Sequence, residues 1–306
     1  MCIIKERVDM TKLLKMIKSV LNGFGVDVKS LHNNVFSWSI KSAIKEQKLG
    51  ERCGELREII PDISSQYTNE FSKEDYENYY ELKMRGMHAF QVNACIDAVN
   101  YVFNKLNKPV TVADIGDSSG HHLRYIKHII SEKKLKKGIS VNLDPIAIEK
   151  INSGGGDGVL CRAEELNTIN ISPDLFMSFE MLEHLTDPVR FLHDIAETGS
   201  ADHFLISVPY QKSSHFGGSH LRLNENDLPE KMTPEDVHIY EFSTDDWLLL
   251  AKFSGWKPIF TKVYWQYPRN NVGRIMQPLL KKIDFEGFFV MFLERDLSLS
   301  KRYTGW

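Results

Sequence analysis

The stretch Val112–Ile126, VADIGDSSGHHLRYI, decides how the rest of the chain is read. An apolar strand runs into Asp114, turns through Gly116 and Gly120, and passes into a helix beginning near His121. In an open α/β sheet a ligand binds beyond the carboxyl end of such a strand, and small turn residues let the backbone approach it closely. A dinucleotide fingerprint would want glycine at 116, 118 and 121, whereas Gly116, Ser118 and His121 stand here, so a nicotinamide cofactor is disfavoured. No phosphate-cradling Walker A loop is present. Taken alone, the turn is also compatible with no ligand at all, and the elements that follow weigh against that.

Working outward, short apolar runs alternate with helical stretches from residue 110 on, the pattern of βα units in a parallel sheet. The expected strands are 110–115, 139–143, 158–161, 174–179, 203–208, 257–264 and 287–293. The fold class expected is α/β: a doubly wound, seven-stranded, mostly parallel Rossmann-like sheet closed by an antiparallel, hairpin-like end. Upstream, residues 11–22 pattern as a short helix with Leu13, Leu14, Ile17, Val20 and Leu21 on one side. Ser72 caps a longer helical pattern that runs towards Leu106, with an apolar stripe of Phe90, Ile96, Val99, Val102, Phe103 and Leu106. The expected division is a helical N-terminal extension over 1–90 and a ligand-binding domain over 91–306.

The 306 residues are 42% hydrophobic and 26% charged, enough for one large core, and exclude collagen-like, disordered and disulfide-scaffold classes. A net charge of −3 gives no general field for nucleic acid; the local run KKLKK at 133–137 reads as a solvated helix end. Cys2, Cys53, Cys95 and Cys161 show no metal spacing, which suggests a reduced, cytoplasmic protein. The charged start MCIIKERVDMTK and the lack of any run of about eighteen apolar residues argue against a leader or a membrane span.

Asp144 ends the second strand in SVNLDP, where a carboxylate accepts hydrogen bonds from both hydroxyls of a ribose; the plainer reading is an Asp-Pro turn. CRAEEL follows the third strand and SFEMLEHLTDP the fourth. With these in place, about residues 90–306 resemble a class I S-adenosylmethionine-dependent methyltransferase. Asp114, Gly116 and Gly120 match that family's glycine motif, and Ser118 replaces its middle glycine. The resemblance implies S-adenosylmethionine as cofactor, held by Asp114, Gly116, Asp117, Ser118, Gly120 and Phe179, with Asp144 on the ribose and Ala163 and Glu164 beside the adenine. Arg162 stands where the family often has an acid, so the adenine contact differs here.

Glu180, Glu183 and His184 at spacing i, i+3, i+4 would share one face of a helix. The segment most resembles that of quinone-biosynthesis O-methyltransferases and small-RNA 3′-terminal 2′-O-methyltransferases, in which a Glu-x-x-Glu-His run with a later histidine is associated with a divalent metal. His238 is the later histidine here. The resemblance then implies Mg²⁺, Mn²⁺ or Zn²⁺ on Glu180, Glu183, His184 and His238, with His184 or His238 taking up a hydroxyl proton. Acids complementing a helix dipole are the structural alternative. Asp187-Pro188 starts the next helix.

His121 and His122 read as a solvated helix start, and 207–224 as a substrate rim that includes His215, His220 and Arg222. Tyr264, Trp265 and Tyr267 read either as an acceptor wall or as core. The expected activity is methyl transfer to a hydroxyl of a small molecule or glycan. The Ile-, Lys- and Asn-rich composition points to a bacterial source, a single methyltransferase domain with a helical N-terminal extension fits a sugar of surface glycan assembly, and a quinone precursor or other phenol is the second choice. RNA is disfavoured for want of a basic stripe with interleaved aromatics. A non-catalytic assembly subunit with the same fold is the rival from another class. The oligomeric state is not readable.

Overall fold

The computed structural model describes residues 28–64, 76–169, 171–199, 201–218, 221, 228, 230–232, 237–270 and 287–306. The expected helix at 11–22, the Ser72 cap, His220 and Arg222 lie outside them.

VTVADI is apolar on both faces because it becomes the central strand β1 (Val110–Ile115), covered on both sides. Around it stand β2 (Leu135–Asn142), β3 (Gly158–Leu160), β4 (Leu175–Phe179), β5 (His203–Tyr210), β8 (Trp256–Trp265) and β9 (Gly287–Arg295), in the order β3-β2-β1-β4-β5-β9-β8. The first five are mutually parallel, and β9 runs antiparallel between β5 and β8. This is the doubly wound, mostly parallel, seven-stranded sheet with an antiparallel end that the sequence implied. A two-residue ribbon, β6 (His215–Phe216) with β7 (Tyr240–Glu241), is additional and too short to leave a periodicity.

Alternation splits the core. Val110 and Val112 face one cluster and Ala113 and Ile115 the other. On the first face lie α1 (Val28–Glu46), α2 (Gly50–Ile59), α3 (Glu81–Leu106) and α4 (His121–Ile129); on the second lie α6 (Pro188–Thr198) and α7 (Thr244–Phe253). Between β2 and β3 runs α5 (Pro145–Ser153). Asp187 starts α6 as expected, its side chain accepting from the Arg190 N–H, and Ser243 caps α7, accepting from the Asp246 N–H.

α3 is 26 residues long and runs without a break through residue 90. Met84 to Val92 are all buried, since α1 and α2 cover its outer side while its inner side lies on the sheet. Arg85, wholly buried, staples these layers: it donates to Glu81 Oε1 at 2.9 Å, to the Leu56 carbonyl at 3.1 Å, to the Pro61 carbonyl at 3.3 Å and to the Tyr125 hydroxyl at 2.8 Å.

Two local expectations are corrected. The KKLKK run is not a helix end: α4 stops at Ile129, and Leu135, buried, already pairs with Val110 as the start of β2, with Lys136 and Lys137 exposed beside it. His121 and His122 are not solvated; α3 crosses over them and leaves them 5% and 7% exposed. Tyr264 belongs to the core, stacked on Phe90 at 5.6 Å. Cys53, Cys95 and Cys161 are buried free thiols. Among the described residues no helix is long and apolar enough to cross a membrane.

Candidate functional site

Everything singled out after β1, β2, β3 and β4 lies at the carboxyl edge of the parallel strands, the edge at which open α/β sheets bind ligands. Gly116 leaves β1 with φ +84°, and its N–H donates to the Val141 carbonyl at 2.8 Å. A Cβ there would stand 2.7 Å from Met181 Cγ. Gly120, φ +73°, opens α4.

Asp117 is used up in shaping the turn between them. Its Oδ1 accepts from the N–H of Ser119 at 3.2 Å and of Gly120 at 2.7 Å, and its Oδ2 accepts from the Ser140 hydroxyl at 2.6 Å. Asn142 donates to the Asp117 carbonyl at 3.0 Å and accepts from the Asp144 N–H at 2.7 Å. Asp144 in turn caps α5, its Oδ1 accepting from the Ile146 N–H at 2.9 Å. Ser140 and Asn142 were not anticipated, although their strand period of two with Asp144 was there to be read.

The carboxylate thus fixes the backbone around Ser118, which stays partly exposed at the tip. Replacing Asp117 with alanine leaves two turn amides and the Ser140 hydroxyl without their acceptor. The expected loss is about 2 kcal/mol of stability, read by urea unfolding; an unchanged midpoint would show the turn to be held otherwise.

Beyond β3, Ala163 opens a 3₁₀ segment and Glu164 faces Arg162 at 3.6 Å, both charges exposed. Leu143, Ile146 and Leu160, half exposed, add apolar surface at the ends of β2 and β3. Below the turn, Asp114 is 1% exposed, its Oδ2 has no hydrogen-bond partner among the described residues, and burial raises its pKa well above the carboxylate range.

The segment after β4 departs from expectation. Leu182–His184 is a single 3₁₀ turn, and Glu180 before it has φ +53°, a left-handed conformation costing a non-glycine residue of order 1 kcal/mol. Glu180, Glu183 and His184 therefore do not share an α-helical face. Glu180 turns towards β5 and α3, where its Oε1 accepts from the Ser207 hydroxyl at 2.6 Å and from Gln91 Nε2 at 3.2 Å. Burial pushes its carboxyl up to about 8, against the lowering effect of those two bonds.

Glu183 turns the other way. It is wholly buried, and neither carboxylate oxygen has a hydrogen-bond partner among the described residues. Burial first, and the nearby Glu180 charge second, raise its pKa well above the ordinary value. His184 Nδ1 lies 2.8 Å from the Val237 carbonyl, which can only accept, so Nδ1 carries the proton and Nε2, 3.7 Å from Glu183 Oε1, presents a lone pair. The His238 ring sits 4.9 Å away, edge-on, with Nδ1 3.4 Å from Glu241 Oε1; Glu241 is held by Gln211 Nε2 at 3.1 Å.

Glu183, His184 and His238 bring ligand atoms within 4.8 Å of one another, and Glu180 stands outside this group. The Ile239 N–H donates to the Glu183 carbonyl at 2.9 Å, which ties the two distant segments together. A buried carboxylate without donors, beside an imidazole oriented from its far side, is a donor set suited to a divalent cation. His215 is half-buried on β6, opposite Glu241.

No family model matches the chain, and no curated protein does. Solved structures of similar fold include a 1,6-didemethyltoxoflavin-N1-methyltransferase from Burkholderia thailandensis with 1,6-didemethyltoxoflavin and S-adenosylhomocysteine bound, at 15% identity, covering 75% of this chain and 93% of that one with a TM-score of 0.45. An S-adenosylmethionine-dependent methyltransferase from Clostridium acetobutylicum is 10% identical, over 65% of this chain and 90% of its own, with a TM-score of 0.42. One from Mesorhizobium loti is 12% identical, over 65% and 96%, also with a TM-score of 0.42.

Proposed function

We propose that the chain is an S-adenosylmethionine-dependent methyltransferase that methylates a hydroxyl of a small-molecule or glycan acceptor, assisted by a divalent cation on Glu183, His184 and His238. One observation carries the reading. The Gly116 turn and the Glu180–His184 segment are in direct contact through Met181, so a ligand seated on the turn lies beside the Glu/His cluster.

The residues fit the cofactor. The turn presents backbone rather than side chain at Gly116, Asp114 lies beneath it with one oxygen unpaired among the described residues, and Asp144 is the carboxylate for the ribose hydroxyls. Ala163, Glu164 and Phe179 complete the cradle in this reading, with Leu143 and Ile146 as apolar cover for the adenine. The bound cofactor supplies a sulfonium-activated methyl group. The chain has to hold the acceptor oxygen in line with it and exclude water, and such positioning is worth several kcal/mol of barrier.

Glu183 and the imidazole nitrogens would hold Mg²⁺, Mn²⁺ or Zn²⁺, which supplies Lewis acidity towards the hydroxyl. His184, oriented by Val237, and His238, backed by Glu241, would each turn the other ring nitrogen to the cation, and the proton of the acidified hydroxyl leaves to solvent.

The expected result in a thermal shift assay is stabilisation by S-adenosylhomocysteine, about 2.7 kcal/mol at a hundredfold excess over Kd, with no response to NAD. Lack of binding at millimolar cofactor would sink the reading. Transfer of labelled methyl onto nucleotide sugars, glycans, phenols and short RNA identifies the acceptor. EDTA is expected to abolish that transfer and Mn²⁺ to restore it; transfer indifferent to both removes the cation from the reaction.

A further inference from the structure

Helix α3 carries a neutral amide into the midst of charged groups. Gln91 is wholly buried between Phe90 and Val92, where nothing but its own polar ends justifies an amide. Its Nε2 lies 3.2 Å from Glu180 Oε1 and 3.2 Å from Ser207 Oγ, and its Oε1 lies 2.9 Å from His122 Nε2.

The orientation of the amide follows from its partners. Glu180 Oε1 accepts from the Ser207 hydroxyl and from the Gln91 amide nitrogen, which also lies 3.2 Å from Ser207 Oγ, so the NH₂ end is the one turned to this side. The amide oxygen therefore faces His122, and His122 must carry its proton on Nε2. That leaves His122 Nδ1 as an acceptor, 3.8 Å from Asp114 Oδ2. The ring is held in place by Phe179 at 4.3 Å and His88 at 5.2 Å between centroids. Burial pushes His122 down to about 3 and Asp114 upward, in keeping with a neutral imidazole beside a carboxyl that holds the proton.

We propose that Gln91 is the positioning residue of this site: by its two ends it makes the tautomer of His122 depend on the carboxyl group of Glu180, and so sets which form of the His122 ring faces Asp114, 3.8 Å away beneath the glycine turn. Only the link to a cofactor on the turn rests on the methyltransferase reading; the pairing of Gln91 with Glu180 and His122 does not. It also gives the N-terminal helices a reason to be there, since α1 and α2 hold α3 against the sheet at the depth where Gln91 reaches both partners.

The test uses the full chain with ¹⁵N-labelled histidine and long-range ¹H–¹⁵N spectra, the His122 signals being assigned by their loss in His122→Gln. The expected result is the Nε2–H tautomer for His122 in the unaltered protein. Glu180→Gln, which keeps the shape but offers both an oxygen and an NH₂, lets Gln91 turn over and converts His122 to a mixture of tautomers. Gln91→Met does the same by removing both bonds; should it fail to fold, Glu180→Gln decides alone. An Nδ1–H tautomer in the unaltered protein, or a His122 signal unmoved in Glu180→Gln, overturns the proposal.

Calorimetry with S-adenosylhomocysteine then tests the link to the turn. About tenfold weaker binding by Gln91→Met supports it, and affinity within twofold of the unaltered protein refutes it. If the unaltered protein itself binds no S-adenosylhomocysteine, the methyltransferase reading fails, while the tautomer spectra still decide the role of Gln91.

Discussion

Glu183→Gln is expected to weaken Mn²⁺ binding at least a hundredfold and to cut methyl transfer by about a thousandfold, near 4 kcal/mol of barrier, while making the metal-free protein about 1 kcal/mol more stable. The opposite signs follow from one fact. Glu183 is wholly buried, with two oxygens that no donor satisfies among the described residues, and its carboxyl is raised well above its usual pKa by that burial and by Glu180. A charge in such a place is a cost to the fold unless a cation meets it. Glutamine keeps the volume, removes the charge and takes away the one carboxylate of the cluster. Isothermal titration with Mn²⁺ and urea unfolding in EDTA measure the two effects. A variant that unfolds more readily than the parent and binds Mn²⁺ as before would mean that Glu183 is a structural group.

Gly116→Ala is the second large effect: S-adenosylhomocysteine binding weaker by about a hundredfold, close to 2.7 kcal/mol. At φ +84° a side chain costs of order 1–2 kcal/mol, and its Cβ would stand 2.7 Å from Met181 Cγ and 3.0 Å from Met181 Cβ. Those Met181 atoms lie close to the main chain and cannot swing aside like the tip of a long side chain, so the Glu180–His184 segment must shift with them. The binding loss should therefore be accompanied by weaker Mn²⁺ binding, although Gly116 touches no proposed ligand. If calorimetry shows full cofactor affinity in Gly116→Ala, the turn is not the binding element.

Much of the fold was legible because it rests on local pattern. Val110–Ile115 is a short β-branched, mostly apolar run between Pro109 and Gly116, and the strand has those bounds. Asp187-Pro188 starts the helix it was expected to start. β2 was begun four residues late because its first turn of sequence is lysine-rich and only Leu135 is buried in it. The burial of His121 and His122 could not be read from their neighbours in sequence; a helix that starts 40 residues upstream covers them, and histidine is as ordinary on a wet helix start as beneath a packed one.

The site divides along the same line. That Asp114, Gly116, Asp144, Glu183 and His184 stand at one edge of the sheet was legible in the sequence, since βα units place the residues at and after the end of each parallel strand there; His238, between β6 and β7, was joined to them only by the resemblance. That Glu180 parts from Glu183, and that Gln91 enters the site at all, only the tertiary structure decided. The first depends on one left-handed residue and a 3₁₀ turn where a helix was expected, and the second on the depth at which α3 lies against the sheet. Side-chain spacing along a chain specifies a direction only while the backbone keeps its period, and a contact between residues 91 and 180 is set by packing, which no local period encodes.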